Sequence, residues 1–311
     1  METEVSMQII DIHVHVYEKI AGITQGAPIT GAGYGKAKIG NGFVQFTPPS
    51  FESTTSAVEV LIGYMDWCGV DKALLMPNPL YGYTNEYFIQ SIQKYQDRLK
   101  GVALVDFLKG QKAADELVKI YDETPLFGFK IETDSTFQCG LGKNIADDEF
   151  APIWDVCNQY HQPVFLHLFT DRDVQDFVKL VPKYSNINFI LCHMGADSCF
   201  GKGKGNQNNF DFLLQFMKKH TNVFMDTSTV PEYFLPEEYP YPSAIRRVEK
   251  AYKTVGAEKI MWASDYPGML KTGTYRELIN YVCKNCSIPE ADMKLIMGEN
   301  ADRLFFQNAP K

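Results

Sequence analysis

The residues with the most chemical potential in this chain are its histidines. Six occur in 311 residues, and four sit in short apolar runs: His13 and His15 in Ile10-Asp11-Ile12-His13-Val14-His15-Val16, His167 after Phe165-Leu166, and His193 after Ile190-Leu191-Cys192. Asp265 closes a fourth run, Ile260-Met261-Trp262-Ala263-Ser264-Asp265. Residues two apart on a strand project to the same face, so His13 and His15 form a pair. Imidazole nitrogen and carboxylate oxygen are favoured by zinc and related divalent ions, and a catalytic site keeps one position open for water. A single buried histidine is more often a hydrogen-bonded core residue, and His-x-His alone arises by chance. The metal reading gains its weight from the other three residues, provided the fold brings them to the same place.

Eight near-continuously apolar runs read as strands buried on both faces: Ile9 to Val16, Ala73 to Pro77, Gly101 to Asp106, Phe127 to Glu132, Val164 to Phe169, Asn188 to His193, Val223 to Ser228 and Ile260 to Asp265. Helical patterns separate them, over Ser56 to Cys68, Thr84 to Gln96, Lys109 to Asp122, Asp147 to Tyr160, Asp171 to Tyr184, Phe210 to His220 and Ser243 to Val255. Ser56/Glu59 and Thr274/Glu277 carry the spacing of capping boxes, and both mark helix starts. Eight strand-helix units in order predict a single-domain (β/α)₈ TIM barrel, an α/β fold, over residues 1–311, with an open doubly wound sheet as the alternative. The C-terminal strand ends of a barrel meet at one mouth, which would unite His13, His15, His167, His193 and Asp265.

The connection at about 17–52 is glycine-rich and predicts a flexible, lid-like excursion. Its Gly31-Ala32-Gly33-Tyr34-Gly35-Lys36 lacks the Walker spacing of a phosphate loop. The net charge of -8 argues against a nucleic-acid partner. The first residues lack the basic flank of a signal peptide, and no run approaches a membrane span, so cytoplasmic location and no membrane partner are expected. Seven scattered cysteines fit a reducing compartment, and the isolated Cys283/Cys286 pair is weak evidence for zinc or redox chemistry.

Taken together, Asp11-Ile12-His13-Val14-His15, Gly128-Phe129-Lys130-Ile131, Phe165-Leu166-His167, Cys192-His193-Met194-Gly195, Ser264-Asp265-Tyr266-Pro267 and the terminal Gly298-Glu299-Asn300-Ala301-Asp302-Arg303-Leu304 resemble the amidohydrolase superfamily. The resemblance runs nearly end to end and is specific to the amidohydrolase-related (amidohydrolase family 2) group of mononuclear lactonases, hydrolases and nonoxidative decarboxylases. It implies that His13, His15, His167 and Asp265 bind one divalent ion, zinc or else manganese, with His193 beside it as an acid/base or oxyanion partner. Such an ion lowers the pKa of a water toward neutrality, and Asp265 would accept the proton. Lys130 corresponds to the position where binuclear relatives carry a bridging carboxylated lysine; a structural or substrate-anion role is the alternative.

Asp11 is expected to face inward, either orienting a histidine from behind or forming a strand-start hydrogen bond. Cys192 precedes His193 and should point the other way, which argues against a Cys-His nucleophile. No Gly-x-Ser-x-Gly elbow occurs. His161 and His220 end helices and read as surface residues. Mouth loops supply Tyr81, Tyr83, Arg172, Phe200, Lys202, Lys204, Tyr233, Phe234, Tyr239 and Tyr241, which suit a flat or carboxylated small molecule; Lys130, Arg172 and Tyr81 are the substrate-binding candidates. The expected function is metal-dependent hydrolysis of a lactone, cyclic or amide bond in a small organic acid. Nonoxidative decarboxylation of an aromatic or unsaturated acid is the alternative, and a binding barrel without turnover the third reading. Barrels of this kind commonly form homodimers.

Overall fold

A computed structural model describes residues 7–24, 27–132, 143–195 and 207–307. Among them, eight parallel strands form one sheet in the order β1-β6-β7-β8-β9-β10-β11-β12: β1 Ile10–Val14, β6 Lys72–Leu75, β7 Leu99–Ala103, β8 Phe127–Glu132, β9 Val164–His167, β10 Phe189–Leu191, β11 Val223–Asp226 and β12 Ile260–Met261. The sheet closes on itself where His15 N donates to Tyr266 O (2.7 Å) and a parallel bridge joins Val14 to Tyr266. Closure removes the exposed edges that an open sheet would leave, and selects the barrel over the doubly wound alternative.

Helices cover the outside: α1 Val58–Cys68, α2 Asn85–Lys94, α3 Gln111–Glu123, α4 Ala151–Gln159, α5 Asp171–Lys183, α6 Gln207–Met217, α7 Pro242–Val255, α8 Tyr275–Cys283 and α9 Glu290–Lys294. The Thr274/Glu277 capping box forms as expected. The Ser56/Glu59 box does not: Ala57 occupies the N-cap of α1, and the Ser56 hydroxyl donates instead to His15 O (3.0 Å). A buried carbonyl at the barrel rim competes successfully for that hydroxyl. A capping box that the spacing did not announce, Thr170/Asp173, starts α5. None of the helices among the described residues is long and apolar enough to cross a membrane.

The glycine-rich excursion is an antiparallel meander: β2 Ala21–Thr24, β3 Ala27–Gly33, β4 Lys36–Ile39 and β5 Gly42–Gln45. Ile29 and Ala37 on one face pack with Tyr17, Ile20, Leu80 and Tyr81, forming a small core beside the barrel mouth. Close approach explains one of its glycines: a Cβ on Gly22 would lie 1.9 Å from Pro79 O. Backbone ladders and this apolar contact give the excursion a defined structure where the composition suggested a loose lid.

The barrel interior toward the N-terminal strand ends is filled by Ile10, Ile12, Leu74, Val102, Phe127, Phe165, Ile190, Phe224 and Met261, closed below by Phe305. Interior residues do not follow strict alternation. Phe127 and Lys130 are three apart yet both buried inside, because Gly128 adopts φ 62° and the β7/β8 register shifts beside it. A similar register shift between Asp11 and Val14 lets Ile12 fill the interior core while His13, the next residue, faces the site.

Candidate metal centre

Above the apolar plug, the C-terminal strand ends carry a buried polar layer: His13 from and His15 just after β1, Lys130 and Glu132 from β8, His167 from β9, His193 after β10, and Asp226 and Ser228 from and after β11, joined by the part-buried Asp265 after β12. The rings of His13 and His15 lie 5.1 Å apart, those of His13 and His193 4.8 Å, and those of His167 and His193 4.3 Å. Ligand atoms of His13, His15 and Asp265 fall within 4.8 Å of one another, as do those of His13, His193 and Asp226. His167 joins neither three-residue group, though its ring packs on His193.

Each of the four imidazoles is tied by Nδ1. His13 Nδ1 meets Asp226 Oδ2 at 3.0 Å, His15 Nδ1 meets Met76 O at 2.6 Å, His167 Nδ1 meets Glu132 Oε2 at 2.8 Å, and His193 Nδ1 meets Ser228 Oγ at 2.7 Å. A carbonyl or an ionised carboxylate can only accept, so the hydrogens of His13, His15 and His167 sit on Nδ1. Burial would raise the carboxyls of Glu132 and Asp226, but Lys130 and His167 around the first, and His13 and His193 around the second, hold both well below the usual range. With Nδ1 tied from behind, His13 and His15 turn Nε2 into the site, the arrangement found where an acceptor behind a histidine orients it toward a metal.

His15 Nε2 lies 3.1 Å from Asp265 Oδ1. A lone pair facing a carboxylate is repulsive unless a proton or a metal cation lies between them. Burial would raise Asp265, yet its contact with His15 and the nearby imidazoles of His13 and His193 keep it well below the ordinary carboxylate range. The Thr229 hydroxyl donates to its other oxygen. Donor chemistry, burial and orientation thus fit a divalent cation held by His13, His15 and Asp265, with three oriented imidazole and carboxylate ligands leaving room for exchangeable positions.

Backbone strain concentrates here. His193, Thr229 and Asp265 adopt φ of 56°, 62° and 62°, conformations that cost a non-glycine residue roughly 1–3 kcal/mol each. His193 N is held by Asp226 Oδ1 (2.8 Å) and Asp265 N by His13 O (2.9 Å), so the surrounding hydrogen bonds enforce the geometry. The left-handed turn at His193 brings its ring inside together with Cys192, which the interior core contains. The expected opposite facing of these neighbours is corrected on that point. Burial lifts the Cys192 thiol well above its ordinary value, so it remains no nucleophile.

Asp11 does not face the histidines. Its Oδ1 accepts from His13 N (3.2 Å) and Ser264 N (3.0 Å), and its Oδ2 from Tyr275 OH (2.7 Å) of α8, because Ile10 and Ile12 on either side face the interior and alternation turns Asp11 outward. Of its two readings the strand-start hydrogen bond is the one observed. Lys130 is fully buried, with Nζ 2.9 Å from Glu132 Oε1 and 3.5 Å from His13 Nε2. Burial would lower it, but Glu132 holds it as an ammonium, raised above its ordinary value. A protonated amine cannot be carboxylated, so the arrangement supports a structural role over a metal bridge.

Tyr81 is buried, its ring 5.1 Å from that of His15 and stacked at 4.1 Å on Tyr17. Tyr233 reaches the cluster through its hydroxyl, 3.5 Å from His193 O. Arg172 does not: it is exposed in the first turn of α5 and donates to Lys143 O (3.2 Å). Tyr83 is exposed, Tyr239 pairs with Asn285, and Tyr241 is buried against Thr272, while Phe200, Lys202 and Lys204 lie outside the described residues. Cys283 and Cys286 are free thiols, and among the described residues neither belongs to a group that could hold a metal.

Four participants went unrecognised in the sequence: Asp226, Ser228, Thr229 and Phe169, whose ring stacks 4.0 Å from that of His167. Asp226 was accessible, since it follows the interior Phe224 by two positions on a short strand.

Comparison with known proteins agrees with this fold. The chain is 24% identical over 268 residues, covering 79% of itself and 70% of the relative, to a 2-amino-3-carboxymuconate-6-semialdehyde decarboxylase of Dictyostelium discoideum. Among solved structures it resembles a probable 2-pyrone-4,6-dicarboxylic acid hydrolase of Acinetobacter baumannii with citric acid bound (TM-score 0.69, 21% identity, 96% and 99% of the two chains). It also resembles a manganese-containing 5-carboxyvanillate decarboxylase of Novosphingobium aromaticivorans (TM-score 0.58, 18% identity, 80% of each chain). Residues 10–307 match the amidohydrolase family, a metal-dependent enzyme family with hydrolase and decarboxylase members, and the chain belongs to it.

Proposed function

We propose that this protein is a metal-dependent hydrolase that opens a lactone, cyclic or amide bond of a small carboxylated molecule in the cytoplasm. The observation that carries this reading is the Asp265 carboxylate, ionised, 3.1 Å from His15 Nε2 and steadied by Thr229. One divalent ion, zinc in this proposal and manganese as the alternative, would be held by His13, His15 and Asp265, with His167 available as a fourth ligand. When bound, it supplies Lewis acidity to a carbonyl oxygen and to water.

Asp265 then takes the proton of the attacking water and returns it to the leaving group. His193 is buried among His167 and His13, which with desolvation hold it well below its ordinary pKa, so it acts at neutral pH as an uncharged imidazole. Tyr81 and Phe169 line the cluster on the His15 and His167 sides and would grip a flat substrate between rings. Lys130, its charge compensated by Glu132, would meet a substrate carboxylate only at the inner end of the site, whereas the exposed Arg172 would act only at the rim.

A second reading is supported by the decarboxylases among the similar proteins and by those two rings: release of carbon dioxide from an aromatic or unsaturated acid. The test is metal analysis of the purified protein, followed by lactone and aromatic-acid panels run in ¹⁸O-labelled water. Hydrolysis puts the label in the organic product, whereas decarboxylation releases carbon dioxide and leaves the organic product unlabelled. A protein lacking stoichiometric metal, with turnover indifferent to chelation, would overturn both readings.

A further inference from the structure

Asp226 is fully buried and accepts four hydrogens. Its Oδ2 faces His13 Nδ1 at 3.0 Å, and its Oδ1 takes His193 N (2.8 Å), Ser228 N (3.0 Å) and the Ser228 hydroxyl. That hydroxyl in turn lies 2.7 Å from His193 Nδ1 and 3.4 Å from His13 Nδ1. Direction in this network is fixed by chemistry. A carboxylate accepts only, so the single Ser228 hydrogen points to Asp226, and its oxygen must accept from His193.

From this network we infer that Asp226 is a positioning residue that sets the tautomers of two histidines 180 residues apart, His13 directly and His193 through Ser228, and so aims both Nε2 lone pairs at the site. The inference rests on the metal-centre reading for its purpose, but its test does not. An amide at position 226 keeps the shape and halves the acceptors. With its nitrogen toward His13 it donates to Nδ1, and the His13 hydrogen must move to Nε2, blocking the lone pair a metal needs.

The experiment uses full-length, metal-free protein with ¹⁵N-labelled histidine, and reads which ring nitrogen carries hydrogen from long-range ¹H–¹⁵N correlations. The wild type should show Nδ1–H on His13 and His193. Asp226→Asn should move the His13 hydrogen to Nε2 and weaken zinc binding, measured by competition with a chelator, about 10- to 100-fold. Ser228→Ala should release the tautomer of His193 and leave that of His13 in place, which keeps the inference testable if Asp226→Asn does not fold.

A wild type with hydrogen on His13 Nε2 overturns the inference, as does an Asp226→Asn protein with unchanged tautomers. Zinc loss in that variant without a tautomer change would mark Asp226 as a ligand with His13 and His193, which lie near enough for that role. A wild type that binds no zinc would remove the metal reading while leaving the tautomer assignment standing.

Discussion

Replacing Lys130 by methionine tests whether the polar layer is held by charge. Lys130 and Glu132 side chains are 0% and 2% exposed and 2.9 Å apart, and the second Glu132 oxygen supports His167. Lys130→Met leaves that carboxylate buried beside Asn78 Nδ2 (3.2 Å) and His167 Nδ1 (2.8 Å) without its ammonium partner. Breaking one side of such a pair costs about 3–5 kcal/mol, because the remaining charge loses its compensation. For a chain of this length that corresponds to a fall in Tm of roughly 5–8 °C.

Glu132→Gln retains an acceptor for His167, and the double variant removes both charges. It should be less destabilised than the sum of the singles, with a coupling of about 2 kcal/mol. Denaturant melts with chelator present, at pH 6 and pH 8, supply the assay. Glu132 is held below its unfolded pKa, so its contribution is present above about pH 4 and lost as pH falls further. Lys130 is held above its unfolded pKa, so its contribution persists up to about pH 10 and is lost as pH rises beyond that. The deficit of each variant relative to wild type must therefore be the same in the two melts. A Lys130→Met protein within about 1 kcal/mol of wild type, or an additive cycle, refutes the reasoning.

Three further outcomes are expected. Asp265→Asn should keep the fold but lower kcat by about 10²- to 10⁴-fold, since it removes the proton acceptor; steady-state kinetics on the identified substrate check this. Burial raises the Asp11 carboxyl to about 6 against the hydrogen bonds from Ser264 and Tyr275, so the folded state holds a proton that the unfolded chain has released. Stability should consequently fall as pH rises from about 4 to about 6, and Asp11→Asn should flatten that segment of the melting profile. Gly22→Ala drives a Cβ into Pro79 O and should lift the meander from Tyr81, seen as a changed near-ultraviolet tyrosine signal with the far-ultraviolet spectrum retained.

The barrel was legible because strands buried on both faces leave long apolar runs, and because eight such runs alternate with amphipathic helices. His13, His15, His167, His193 and Asp265 were legible for a related reason: a charged or imidazole side chain ending an apolar strand has few places to go except the mouth. The tertiary structure decided what alternation could not. Register shifts at Asp11/Val14 and Gly128 turned His13 and Lys130 inward, and the left-handed backbone at His193 and Asp265 aimed both side chains. Hydrogen-bond competition likewise moved Ser56 from a helix cap to the rim, and it made Asp226 the acceptor that joins two distant histidines. Such choices depend on which partner is nearest in space, which residue order does not encode locally.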